Sequence, residues 1–427
     1  MRKALICLIA GMALAAISAF GQTAREQIQE DPNRAGGVYY MYNFHAHHVT
    51  PPPKGYKPVY LSHYGRHGAR YLLNDTQYER SLGVLRDAHE AGVLTQTGEK
   101  IWQEASAYFQ ETCQYRAGDL TPLGWDQHFR IAQEIYADNR ALFRRHPSVE
   151  AGATQVPRCI VSMTAFLQGL AAKDRKLDIR ANASRADLDD INPHASENPR
   201  RENVPMEGGR YARTDPWGTK LAGFIDARVD WKAISARIFT NTDFTKPYRG
   251  ARAFVTDLYD LVFNMQCTST TRNLMWVFTD EERYKLWEVN NYIHYMEAAP
   301  PATTRDLPAL WNLVADADNA IAAGEPAVRL RFGHDTVFLA ILSMVGADGF
   351  DIVPSSADGI SATWLNFRAP MAATLYFLFC TNRDGRVIFK LVVNSDEATL
   401  PLTPVSGPWY DWEDLKALVN ERYPQSL

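Results

Sequence analysis

Tyr60-Leu61-Ser62-His63-Tyr64-Gly65-Arg66-His67-Gly68-Ala69-Arg70 ties the chain's fold to its chemistry. Apolar residues lead into the stretch in the manner of a buried strand. Glycines at 65 and 68 then mark where the backbone can turn sharply and come close to a ligand. The pattern predicts a strand end opening into a loop. His67 directly follows Arg66 and precedes Arg70 by three residues, so one imidazole lies between two guanidinium forks. Such forks match the oxygens of a phosphate, and their charge favours the neutral, nucleophilic imidazole. The chemistry suggested is attack by His67 on phosphorus. Arg-His-Gly is common by chance, and a single copy is more often a solvated turn than an active site. The rest of the chain decides between them.

The 427 residues are 46% hydrophobic and 22% charged, which excludes a mostly disordered or fibrous protein and allows a large core. A formal charge of -4 leaves no basic footprint, so nucleic acid is not expected as a partner. At the start, Arg2 and Lys3 are positive, Ala4 to Ala16 is apolar, and Ala19-Phe20-Gly21 offers small residues where a signal peptidase cuts. Residues 1–21 therefore read as a signal peptide, with 22–427 as the mature chain of an exported protein, periplasmic or secreted. The apolar run is short for a span of ~20 residues. No stable membrane span is expected after cleavage. Cys113, Cys159, Cys267 and Cys380 are widely spaced and fit no paired metal-ligand pattern. If all four pair, three connectivities are open.

The lead-in, 22–57, is broken by Gly36-Gly37 and Pro51-Pro52-Pro53. It holds His45-Ala46-His47-His48, which offers a metal-site reading. A proline run follows directly and no acidic partner is near in sequence, so loop histidines are the better reading. Tyr78 to Glu90 and Glu99 to Glu111 have helical spacing. Thr121 can cap a helix that accepts Pro122 in its first turn and places Phe129, Ile131 and Ile135 against a sheet. Arg158 opens an amphipathic helix ending near Gly169, where free backbone N–H groups already favour an anion. From that segment alone a salt-bridged, exposed arginine is the better reading.

From about 206 to 324 strand-like runs are sparse and helical patterns dominate, as in Phe254 to Phe263 and Glu281 to Tyr295, with Ala298 to Thr304 as a loop. Strand, turn and helix then return. Ala327 to Phe332 is a strand candidate, Gly333 ends it, and His334-Asp335-Thr336 leads into the apolar helix Val337 to Val345. That order puts His334 and Asp335 at the carboxyl end of a sheet, where open α/β proteins bind ligands; a helix N-cap with a packed histidine fits the segment equally well. Ala373 to Cys380 and Val387 to Val393 read as strands joined by the hairpin turn Asn382-Arg383-Asp384-Gly385. The expected fold is α/β, a core sheet with helices on both faces plus an inserted, mostly α-helical domain. The core takes in about 37–75, 115–205 and 325–400, and the helical insertions about 76–114 and 206–324.

Together these residues resemble the histidine acid phosphatases, the branch of the histidine phosphatase superfamily that includes phytases and multiple inositol polyphosphate phosphatases. Arg66-His67-Gly68-Ala69-Arg70 matches that family's Arg-His-Gly-x-Arg motif, and His334-Asp335 its distal His-Asp pair. Leu120-Thr121-Pro122-Leu123-Gly124 and the Arg158 segment, with Ser162 and Gly169-Leu170 behind it, match two internal signatures in the right order. The spacing from Gly36-Gly37 to Arg66 is similar to that of bacterial inositol polyphosphate phosphatases. That subfamily usually carries His-Ala-Glu at the distal motif, where this chain has His334-Asp335-Thr336, as acid phosphatases and His-Asp phytases do.

The resemblance implies a phosphohistidine on His67, with Arg66, Arg70, Arg158 and His334 holding the phosphoryl oxygens and Asp335 protonating the leaving alcohol. It implies no metal and no organic cofactor. Its substrates would be phosphorylated small molecules, most readily inositol polyphosphates, with broad acid phosphatase activity on small phosphomonoesters as the alternative. Because Asp335 needs a proton for its first task, a rate falling as pH rises well above neutrality is expected. Two other classes remain to be separated by experiment: a metal-dependent hydrolase built on His45, His47 and His48, and a catalytically silent phosphate binder.

Overall fold

The computed structural model describes residues 22–200, 217–218, 220–299 and 305–424. At its centre is strand β1 (Lys57–Arg66), buried at every position after Lys57. A strand covered on both faces needs neighbours on both edges and helices above and below. β1 has them. The parallel half of the sheet comprises β1, β2 (Ser148–Ala153), β3 (Asp178–Asn182) and β4 (Ala327–Gly333). The antiparallel half adds β5 (Thr374–Thr381), β6 (Val387–Val393), β7 (Asp396–Glu397) and β8 (Tyr410–Asp411). The order is β3-β2-β4-β1-β5-β6-β7, with β8 also paired to β6.

Register places the chemistry. β4 inserts between β2 and β1, and Arg66 lies opposite Gly333 in the parallel pairing. His67 and His334, each one residue further on, are therefore neighbours at one carboxyl edge. Ala153 pairs with Phe332, which brings the loop after β2, and with it Thr154 and Arg158, to the same edge.

Alternation along β5 shows why helices cover both faces. Leu375, Phe377 and Phe379 join a core that contains the helix Asp335–Val345 and Trp412. Tyr376, Leu378 and Cys380 join another with Ile131, Ile135, Met163 and Phe166 from the helices Pro122–Asp138 and Pro157–Lys173. Successive strand residues point to opposite faces, so both sets are buried. Helices outside the sheet layers continue the first core: Val255, Leu258 and Val262 of Gly250–Asn264 pack with Tyr78, Leu82 and Leu85 of Asp75–Glu90.

Several elements differ from the sequence reading. β2 is Ser-Val-Glu-Ala-Gly-Ala, without the β-branched run that marks a strand; it is held by parallel partners on both sides, β3 and β4. The C-terminal helix Trp412–Arg422 lies beyond the expected core, and its Trp412 ring packs edge-on at 4.9 Å from Phe379. The Pro157 helix does not end near Gly169 but runs to Lys173. Gly169 marks instead the crossing with the Pro122–Asp138 helix, where a Cβ would strike the Phe129 carbonyl. Cys113, Cys159, Cys267 and Cys380 are all free and buried, so none of the three connectivities is formed. The signal peptide at 1–21 and the stretches 206–216 and 300–304 lie outside the described residues.

Candidate active site

Arg66 ends β1 with its side chain wholly inaccessible. Its Nη1 donates to the carbonyls of Val38 (2.5 Å) and Ala369 (2.7 Å), and its Nη2 lies 2.7 Å from Asp335 Oδ2. One edge of the fork is thus fixed by backbone while the other meets Asp335. The Nε atoms of Arg66, Arg70 and Arg158 are all buried with no acceptor from the protein. Buried N–H donors are almost always paired in proteins, and three guanidinium groups in one place require an anion as their partner.

His67 sits among them, 2% exposed. Its Nδ1 is 2.9 Å from the Gly68 carbonyl, which can only accept, so the proton is on Nδ1 and Nε2 keeps its lone pair. The loop carrying it is tied down on every side. His67 N–H donates to Gly333 O, Ala372 N–H to His67 O, Gly68 N–H to Ser162 Oγ, and Ala69 N–H to Gln127 Oε1. Thr121 both caps its own helix through Gly124 N–H and donates to Ala69 O through N–H and Oγ1. This explains the glycine of the Leu-Thr-Pro-Leu-Gly segment: a Cβ on Gly124 would meet the backbone oxygen and nitrogen of Ala69, and one on Gly68 would lie 2.5 Å from Gly124 O. Gly124→Ala is therefore expected to cost about 1–3 kcal/mol of stability and to lower kcat by displacing the loop; denaturant unfolding with steady-state kinetics measures both.

His334 caps the Asp335–Val345 helix by backbone alone. Its N–H donates to Tyr64 Oη (3.1 Å), whose hydroxyl donates to Ile191 O, and its Nε2 lies 3.4 Å from Thr154 Oγ1. The ring is 5.8 Å from that of His67, edge to face.

Burial, then Arg158, Arg66, Arg70 and His334, hold His67 well below the usual imidazole range, so it is neutral. Burial with Arg158 brings His334 down to about 3. Burial alone would push Asp335 up, but Arg66 above all, with His294, His334 and Arg70, holds it well below the usual carboxylate range. Asp335 is thus held as the carboxylate, not as the protonated acid expected from the sequence.

Behind the loop, His63 and His128 pack against Phe166 and Phe332, and neither ring nitrogen of His63 has a hydrogen-bond partner. Burial, then His128 and Arg331, push His63 well down, and burial brings His128 to about 4. Four histidines neutral when folded and charged when unfolded below about pH 6.5 make an acid-labile fold. Stability is full above that value and is lost as pH falls toward 4, by about 1.4 kcal/mol per pH unit for each. His45 and His47, raised by their carboxylate partners, act in the opposite sense as pH rises. Denaturant unfolding between pH 7 and 4.5 should show the loss, and His128→Phe should flatten it by one proton.

The structure brings together all six residues singled out by the sequence, His67, Asp335, Arg66, Arg70, Arg158 and His334. It sets the rings of His45 and His47 6.1 Å apart, each turned to a carboxylate of its own. His45 pairs with Asp396 (3.0 Å) and His47 with Asp138 (2.9 Å), acidic partners remote in sequence but adjacent in space. Among the described residues no group of three or more His, Cys, Asp or Glu is placed to hold a metal ion. Missed by the sequence reading were Gln127, Thr154 and the carbonyls of Val38 and Ala369. Gln127 lies three residues past Gly124, a spacing that was there to be used; backbone acceptors carry no residue signature.

Fold and site together define an α/β protein with a preformed anion site around one uncharged imidazole. The chain belongs to the histidine phosphatase superfamily (branch 2), whose family model matches residues 65–394. It is accordingly a phosphatase acting on a phosphorylated small molecule. Among solved structures it is similar to the Bifidobacterium longum multiple inositol polyphosphate phosphatase in complex with inositol hexasulfate, at 17% identity over 90% of this chain and 97% of that one, with a TM-score of 0.75. It is also similar to the phytase from D. castellii (15% identity, 93% and 87% covered, TM-score 0.68) and to Hafnia alvei phytase (15%, 87% and 98%, TM-score 0.59). At these identities the likeness is one of fold. Among curated proteins no sequence matches.

Proposed function

We propose that the chain is an exported phosphomonoesterase that hydrolyses inositol polyphosphates through a phosphohistidine on His67. The observation carrying this reading is the set of three buried guanidinium Nε donors without acceptors around a neutral imidazole whose Nε2 is free. Nε2 attacks phosphorus, and the bond to the leaving oxygen breaks. Arg70, Arg158, the open edge of Arg66 and His334 hold the three equatorial oxygens and the charge spread over them. The substrate binds as its monoanion and passes its proton to Asp335 as the phosphate oxygens take over Arg66; Asp335 then delivers that proton to the leaving oxygen. Its carboxylate next draws a proton from water, which attacks the phosphohistidine; the N–P bond breaks, His67 is regenerated, and the proton leaves with the phosphate, so that Asp335 is again ionised.

The polyphosphate substrate is supported by fold likeness to a protein crystallised with inositol hexasulfate and to phytases. Export is supported by the charged, apolar and small-residue order of residues 1–21. No helix among the described residues is long and apolar enough to cross a membrane.

The test is phosphate release by the purified mature chain from inositol hexakisphosphate and p-nitrophenyl phosphate, with and without chelator, beside His67→Ala. Release that is indifferent to chelator and absent in His67→Ala is expected. Activity lost in chelator and retained in His67→Ala would overturn the reading in favour of metal-dependent hydrolysis; no release from either ester would favour a silent phosphate binder.

A further inference from the structure

Tyr64 precedes the nucleophile by three residues at the end of β1, and the reaction above gives it no part. Its side chain is wholly buried. The hydroxyl donates to Ile191 O (2.9 Å) and accepts from His334 N–H (3.1 Å), so one oxygen atom bridges two segments that are otherwise separate. Burial pushes this hydroxyl well up, and it stays protonated, able to serve both partners.

The far end of the bridge is anchored by β4 itself. Ile191 directly follows Asp190, whose carboxylate takes Arg331 Nε on one oxygen and Arg329 Nη2 (2.9 Å) on the other. Both arginines stand on β4, the strand that ends at Gly333 and leads into His334. At the near end the backbone leaves room for the hydroxyl, since a Cβ on Gly333 would strike it. A buried N–H without its acceptor is costly, so the His334 backbone is held where Tyr64 Oη stands. The place of the His334 ring, 5.8 Å from that of His67, follows from that hold.

We propose that Tyr64 is a positioning residue for phosphoryl transfer, its hydroxyl setting the His334 backbone so that the His334 ring meets the phosphoryl oxygens beside His67. This rests on the part given to His334 above and adds to it the group that puts the ring in place. A misplacement of ~1 Å in a reacting constellation can cost about 10²-fold in rate.

Tyr64→Phe deletes the oxygen and keeps the ring. Tyr64→Met also lacks a hydroxyl, fills irregular space with a flexible chain, and is the second variant should the first not fold. Each is made alone and together with His334→Ala, and kcat and KM for p-nitrophenyl phosphate are measured at one pH, with a melting curve for every protein. In the otherwise native chain Tyr64→Phe should lower kcat/KM by about tenfold or more, chiefly through kcat. In His334→Ala, where the ring to be positioned is gone, the same change should cost less than about threefold, because two residues acting through one contact are not additive. Equal losses in the two backgrounds would make Tyr64 a residue of general stability and overturn the proposal, as would an unchanged kcat/KM in Tyr64→Phe. A His334→Ala protein within about threefold of wild type would sink both the part given to His334 and this proposal. A large loss in His334→Ala beside equal Tyr64→Phe losses in both backgrounds would sink this proposal alone.

Discussion

His67→Ala is expected to reduce kcat by at least about 10⁴-fold, the scale seen when a covalent nucleophile is removed, while leaving the protein able to bind phosphate. The two halves follow from different atoms. Turnover depends on Nε2, the nitrogen left with a lone pair by the Nδ1 contact to Gly68 O. Anion binding depends on the arginines, whose side chains are anchored independently of the imidazole: Arg66 on Val38 O and Ala369 O, Arg70 Nη1 on Tyr71 O. Inorganic phosphate should therefore still raise the melting temperature of the variant. Residual turnover within about a hundredfold of wild type would mean another nucleophile; loss of phosphate binding along with activity would mean that the loop had collapsed.

Asp335→Asn is expected to lower kcat by about 10²–10⁴-fold on alkyl phosphates, the usual range for a general acid, and less on p-nitrophenyl phosphate, whose leaving group needs little help from a proton. The same change should tighten binding of inorganic phosphate, because it removes the carboxylate 2.7 Å from Arg66 Nη2 that competes with an incoming anion. The pH profile gives the sharper test. With Asp335 ionised in the free protein, the proton comes from the substrate, whose phosphate has a second pKa of about 6. The kcat/KM should fall about tenfold per unit above that value, and the limb should move when the substrate's own second pKa is changed. A limb at one pH for all substrates would mean that the proton resides on the enzyme; a profile flat into alkaline pH would exclude Asp335 as the acid.

Much of this was legible because the two halves of the site are strand ends. Arg66-His67-Gly68 breaks an apolar run with glycine, and His334-Asp335 follows Gly333 at the start of an apolar helix, so both sets lie where a strand stops, and parallel register makes them neighbours. Arg158 was legible as a helix start. β2 was not, since Ser148–Ala153 owes its conformation to parallel partners on both sides, and tertiary pairing outweighs local propensity there. The ionised state of Asp335 could not be read either, because it depends on Arg66 Nη2 reaching across from another strand. Nor could the hydrogen bond from Tyr64 Oη to Ile191 O, which are remote in sequence. Gly169 was misread as a helix end because a glycine at a tight helix crossing and one at a terminus look the same in sequence.

The central claim, that the phosphoryl group passes through His67, is tested most directly by quenching turnover in alkali, where phosphohistidine survives, and locating the modification by mass spectrometry and the isomer by NMR. The account predicts one phosphoryl group per chain, on Nε2 of His67. A phosphoryl group on Nδ1 or on another residue, or no covalent species together with inversion of configuration at phosphorus, would contradict it.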